Sequence, residues 1–156
     1  MPGTIFISFR ESDSPATAHR LGERLTSFDY HCLLKSEDRG VPGCNYPADR
    51  EDTVATCDGF VAVIGPRWLS RFDDRGRRGI HHRDDFVRKD ISAALQHDIP
   101  ILVALVGGAQ MPSPTLFPAD LLLLAYQPAT EVKDAQFDAD VDRLIAQLRR
   151  LAPTDT

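Results

Sequence analysis

The sequence predicts an α/β fold built on an open parallel sheet with helices on both faces. Three observations carry this. Strand-like and helix-like segments alternate along the chain; Phe60-Val61-Ala62-Val63-Ile64 and Ile101 to Val106 are apolar throughout; and the last long segment is amphipathic at helical spacing. Strands buried on both faces read as continuous apolar runs, and their alternation with helices is the pattern of parallel crossover units. The ligand crevice of such a sheet lies beyond the carboxyl ends of the strands, where the winding reverses.

The elements follow in order. Thr4 to Phe9 is a short β-prone run bounded by Gly3 and by the polar stretch Arg10 to Asp13, as expected of a first, central strand. Ser14 with Pro15 opens a helix whose apolar stripe is Ala18, Leu21, Leu25 and Phe28. His31 to Lys35 reads as a second strand, and Ser36 to Asn45, with Gly40, Pro42 and Gly43, as a loop. Tyr46 to Thr56 is weakly helical, since Arg50 and Thr53 dilute its apolar face. Phe60 to Ile64 is the third strand, stopped by Gly65-Pro66, and Arg67-Trp68-Leu69 fits one helical turn. Ser70 to Arg83 is almost wholly polar and reads either as a solvated mixed-charge loop or as a basic flap beside a phosphate-bearing ligand. A helix from Asp84 to Gln96 leads into the fourth strand, Ile101 to Val106. Pro118 to Leu124 is expected as a short helix, Ala129 to Val132 as a fifth strand, and Asp134 to Leu151 as a helix with Phe137, Val141, Leu144, Ile145, Leu148 and Leu151 at helical spacing.

Composition narrows the function. The 156 residues, 42% of them hydrophobic, suit one globular domain over 1–156. A net charge of −5, with basic residues balanced locally by acids, speaks against nucleic acid and against a membrane surface as partners. No run of eighteen apolar residues occurs, and Met1 to Thr4 leads into the first strand without the regions of a signal peptide, so a soluble cytoplasmic protein is expected. Cys32, Cys44 and Cys57 show no paired spacing and read as reduced, mostly buried thiols. Adjacent His81 and His82 do not easily share a metal, so no metal site is expected.

The helix before the fourth strand carries an oddity. At 100° per residue, Phe86, Val87, Ile91, Ala94 and Leu95 share one arc, while Arg88, Lys89, Ser92 and Gln96 share the other. Asp90 falls inside the apolar arc. An acid turned toward a packed face costs free energy unless it is paired, hydrogen-bonded or in a cleft. Two readings stand: Asp90 reaches sideways to an Arg of another element, or it is a functional carboxylate of the crevice.

With the first strand central, the loops holding Arg10, Glu11 and Asp13 and holding Gly65 to Trp68 face each other at the reversal point. A cation (Arg10), an aromatic platform (Phe9 or Trp68) and one carboxylate (Asp90) would suit a nucleotide better than a peptide or a metal. The sequence has no G-x-x-x-x-G-K-S/T, no G-x-G-x-x-G after a strand and no G-x-S-x-G, which sets aside phosphate-loop hydrolases, dinucleotide oxidoreductases and serine hydrolases. A phospho-acceptor receiver domain would want an Asp where Gly65-Pro66 ends the third strand.

Ile5-Phe6-Ile7-Ser8-Phe9-Arg10, the Pro42-Gly43 loop, Cys57-Asp58 before Phe60 to Leu69, Asp85-Phe86-Val87-Arg88-Lys89-Asp90-Ile91 and Ile99-Pro100-Ile101 together resemble a bacterial TIR (Toll/interleukin-1 receptor-like) domain. The resemblance runs from Thr4 to about Leu151. It implies a flavodoxin-like sheet of five parallel strands, with 36–46 corresponding to the family's BB loop. It also implies self-association or association with another TIR-containing protein through that loop. Many such domains cleave the nicotinamide glycosidic bond of NAD+, some cyclising the product to a signal in antiphage defence. The family's catalytic glutamate falls at Asp90, one methylene shorter; Ser36 stands where many relatives carry an acid, and the helix near Arg50 is weak.

The resemblance therefore implies an NAD+ glycohydrolase or ADP-ribosyl cyclase that needs no cofactor, NAD+ being the substrate. Asp90 would stabilise the ribosyl cation, Arg10 would hold the ribose or a phosphate, and Phe9 and Trp68 would stack. Two alternatives stand beside it. One is a catalytically weak TIR module acting through TIR-TIR or nucleotide-signal binding; the other is a nucleoside-processing relative with an acidic nucleophile.

Overall fold

The computed structural model describes residues 3–36, 48–69, 79–81 and 85–151. Five strands form one sheet: β1 (Thr4–Ser8), β2 (His31–Lys35), β3 (Gly59–Ile64), β4 (Ile101–Val106) and β5 (Ala129–Val132). All neighbours are parallel and the order is β2-β1-β3-β4-β5. Between them run α1 (Pro15–Ser27), α2 (Ala48–Thr56) and α3 (Phe86–Gln96), and α4 (Phe137–Leu151) closes the chain. This is the flavodoxin-like winding, which reverses at β1, so the switch point lies between β1 and β3.

The two faces of the sheet bury separate sets of side chains. Ile5, Ile7, Phe9, Val61, Val63, Leu102 and Ala104 pack with α1 and α4, which contribute Leu21, Leu25, Val141, Leu144 and Leu148. Phe6, Phe60, Ala62, Ile64 and Val103 pack on the other side with Val54, Trp68, Val87 and Ile91. Strand alternation assigns each residue to its face. Every residue of β3 is buried, which is why that segment reads as an unbroken apolar run.

The expected elements form, with differences that packing explains. Ser14 stands at the cap position of α1, but its side chain makes no capping bond. Its hydroxyl donates to Asp13 Oδ2 (3.1 Å) instead. Asp84 lies outside the described residues; Asp85 caps α3, accepting the Arg88 N–H at 3.1 Å. Ser92, expected on the polar arc, is buried, because α3 is flanked by α2 and by the segment 119–126. That segment, Ala119–Tyr126, is a 3-10 helix rather than an α-helix. The last helix begins with one 3-10 turn, Asp134–Gln136, before α4. There the buried Asp140 accepts the Lys133 N–H (2.8 Å) and pairs with Arg143.

The loops 37–47 and 70–78, and Cys44, lie outside the described residues, so the expected self-association loop is described only at Ser36. Of the polar stretch after β3, Gly79–His81 forms a 3-10 turn with Ile80 buried in the core. Cys32 and Cys57 are free; burial raises both thiols, Cys57 to about 11, so neither is an activated nucleophile. Among the described residues no helix is long and apolar enough to cross a membrane.

Candidate functional site

At the switch point, Asp13 ties the two facing loops together. Its carboxylate accepts the Gly65 N–H and the Arg67 N–H, each at 2.8 Å. Residue 65 has to be glycine for this approach, since a Cβ there would meet the Asp13 carboxylate at 2.6 Å. The loop after β1 and the loop after β3 are thus tied together.

Behind these loops lies a buried polar cluster on the α2/α3 side. Arg10 is 1% exposed and forks onto Asp85, with Nη1 to Oδ1 at 3.0 Å and Nη2 to Oδ2 at 2.7 Å. Its guanidinium carbon also stands 5.4 Å from the ring centroid of Trp68. Because Asp85 is the cap of α3, Arg10 pins the start of that helix to the end of β1. A bidentate Arg–carboxylate pair is both strong and directional, which fixes the helix in rotation as well as position. Arg10 Nε and Ser8 Oγ, both buried, have no hydrogen-bond partner, so polar capacity is left over at this end of β1.

One turn into α3, Asp90 is wholly buried. Arg50 reaches it from α2: Nε donates to Oδ1 at 2.9 Å and Nη2 to Oδ2 at 2.5 Å. The same Nη2 donates to the Ser36 carbonyl at 2.9 Å, and the guanidinium carbon lies 4.9 Å from the centroid of Phe86. Phe86 and Asp90 are four residues apart and share a face of α3. Of the two readings of an acid on an apolar arc, the structure shows the first: Asp90 reaches sideways to an Arg of another element.

The four residues singled out in the sequence fare differently. Asp90, Arg10 and Trp68 lie on one side of the sheet; Phe9 packs with α1 and α4 on the other, edge-on to His19 at 5.8 Å. Trp68 is edge-on to Phe117 at 6.2 Å. All four are at most 3% exposed, so none of them faces open solvent. The open concavity nearby, about 310 Å³, runs along the outer side of α3 between Glu51, Arg88, Gln96 and Asp120, and Asp90 does not line it. Sequence reasoning did not single out Arg50, Asp85, Phe86 or Ser8 for the site. A basic residue on the otherwise diluted helix at 48–56 was the one available sign of a partner for Asp90. Among the described residues no three His, Cys, Asp or Glu side chains cluster as metal ligands.

The sheet order defines a flavodoxin-like α/β domain, with a buried polar cluster between the end of β1 and α3. The TIR domain family model matches residues 5–145, and the chain belongs to that family. Among solved structures, a prokaryotic SEFIR domain is 14% identical with a TM-score of 0.56, over 96% of this chain and 98% of its own. The TIR domains of the activated Roq1 resistosome, which directly recognizes the pathogen effector XopQ, are 10% identical with a TM-score of 0.50, over 97% of this chain and 81% of theirs. A metazoan TIR-STING receptor from C. gigas is 16% identical with a TM-score of 0.46 over 88% of this chain, which spans only 38% of the receptor chain. No curated protein matches.

Proposed function

We propose that this TIR domain cleaves the nicotinamide glycosidic bond of NAD+, with Asp90 as the working carboxylate. One observation carries the reading: a fully buried carboxylate and an aromatic ring on one face of α3, already matched to a cation. Nicotinamide leaves NAD+ neutral, so the leaving group needs no acid. What the reaction needs is stabilisation of the ribosyl cation as it forms, and a preorganised carboxylate in a dry site supplies that. Arg10 Nε and Ser8 Oγ are the free donors nearest the end of β1 for a ribose hydroxyl or a phosphate oxygen. NAD+ is substrate in this scheme, and no cofactor enters it. A role in antiphage defence or related signalling in the cytoplasm fits such an activity.

Aspartate sets the limit on rate. Its carboxylate sits about 1 Å short of a glutamate's, and a misplacement of that size costs about 100-fold. Incubation with NAD+ at high protein concentration, with linear and cyclic ADP-ribose resolved by chromatography, tests the reading. Nicotinamide release is expected from the parent, none from a folded Asp90→Asn variant, and more from Asp90→Glu. Equal release by parent and Asp90→Asn would remove Asp90 from the chemistry.

The burial of Asp90 in an ion pair with Arg50 favours a second reading, a TIR module that works by binding another TIR domain through 36–46 or a nucleotide signal. It predicts assembly or ligand binding with no loss of NAD+.

A further inference from the structure

We propose that two copies of this chain pair through the open edge of β2, antiparallel about a two-fold axis at Leu33, so that their sheets join into one. This is a different surface from the segment 36–46, and it does not depend on NAD+ chemistry.

The two edges of the sheet are built differently. β5 is defended: it has four residues, Pro128 precedes it, Glu131 is exposed on it, and Lys133 just beyond its end stands 4.0 Å from Glu131. Short length, proline and charge are the usual means by which an edge strand is kept from pairing. β2 has none of these in its middle. His31 and Lys35 are exposed at its ends, while Cys32, Leu33 and Leu34 between them are half-buried apolar residues. All five residues pair with β1 in one continuous register, without a bulge.

The backbone of that edge is available. The His31 N–H donates to the Gly3 carbonyl at 2.9 Å, and the Lys35 carbonyl accepts the Phe9 N–H at 3.2 Å. Residues that bond to one neighbour alternate along a parallel strand, so His31, Leu33 and Lys35 spend their backbone groups on β1. Cys32 and Leu34 turn theirs outward, where among the described residues no backbone group meets them. A strand added at the edge satisfies them and gains a row of main-chain bonds.

The strand is complementary to itself. Antiparallel pairing centred on Leu33 sets Cys32 opposite the partner's Leu34, and Leu34 opposite the partner's Cys32, each pair exchanging both backbone bonds. Leu33 meets the partner's Leu33 in the closer, non-hydrogen-bonded kind of pair. Apolar side chains then face apolar ones on both sides of the joined sheet, and His31 and Lys35 fall at the rims. A slip by one residue sets outward-turned groups against inward-turned ones, and a slip by two leaves one outward residue of each strand unmatched within β2. The pairing closes on itself as an isologous dimer.

Cross-linking reads the register. In a background with Cys32, Cys44 and Cys57 replaced by Ala, Leu33→Cys places the two new thiols on Cα atoms about 4.5 Å apart, within disulfide range, and mild oxidation should give a covalent dimer. Restoring Cys32 alone should give none, because each Cys32 then lies about 9 Å from the partner's Cys32. Sedimentation of the unaltered chain at high concentration should show twice the monomer mass. Cys32→Pro removes an outward N–H and no bond to β1, and Leu33→Lys sets like charges together on the two-fold; each should return the chain to monomer with its circular dichroism unchanged. If either variant loses its fold, the cross-link decides. An unaltered chain that stays monomeric, a dimer that survives both substitutions, or cross-linking through Cys32 and not through residue 33 overturns the proposal. So does a mass that climbs past the dimer, as head-to-tail pairing of β2 with β5 would give.

Discussion

Asp85 and Arg10 are 75 residues apart in sequence and both nearly inaccessible, yet together they hold the start of α3. Removing one member of a buried pair leaves the other charge uncompensated. Asp85→Ala is therefore expected to cost about 3–5 kcal/mol in urea denaturation, with the double replacement Arg10→Met, Asp85→Leu costing less than the two single changes summed. The sequence shows Asp85 as an acid at a helix start and Arg10 as a cation after a strand, but not that each spends its charge on the other. Phe9 and Trp68 illustrate the same limit. Both read as aromatics near strand ends; Phe9 continues the alternation of Ile5 and Ile7 onto the α1/α4 side, while Trp68, beyond the end of β3, packs on the Arg10 side.

Among the elements, α4 is the plainest product of its sequence. Val141, Leu144, Ile145 and Leu148 recur at helical spacing and are all buried against the sheet. Leu144→Ala should cost about 2–5 kcal/mol in the same denaturation assay, the range for cavities in packed cores. The segment Ala119–Tyr126 was less legible, because its four consecutive leucines suit any helical period. In the 3-10 form Leu121 and Leu124 repeat every three residues and are buried, while Leu123 is 60% and Tyr126 69% exposed. For α3 the periodicity located the anomalous acid correctly on the inner arc. What it could not supply was Arg50, forty residues earlier on a helix with little pattern of its own.

On the scale of the whole molecule, the winding reverses at β1 and leaves the two facing loops to be joined across the gap. Asp13 makes that joint with two backbone amides. Asp13→Ala is expected to cost about 1.5–3 kcal/mol, the loss of hydrogen bonds to a charged acceptor, and to speed hydrogen exchange at the amides of Gly65 and Arg67. By itself the sequence determined the order of strands and helices, the parallel class of the sheet and the burial of Asp90, because each depends on residues near one another in the chain through propensity and period. Only the tertiary structure decided which Arg meets which Asp, which side of the sheet Trp68 takes and that the open concavity beside α3 excludes Asp90. Those depend on contacts between groups 40 to 75 residues apart, whose meeting is set by the packing of the helices on the sheet.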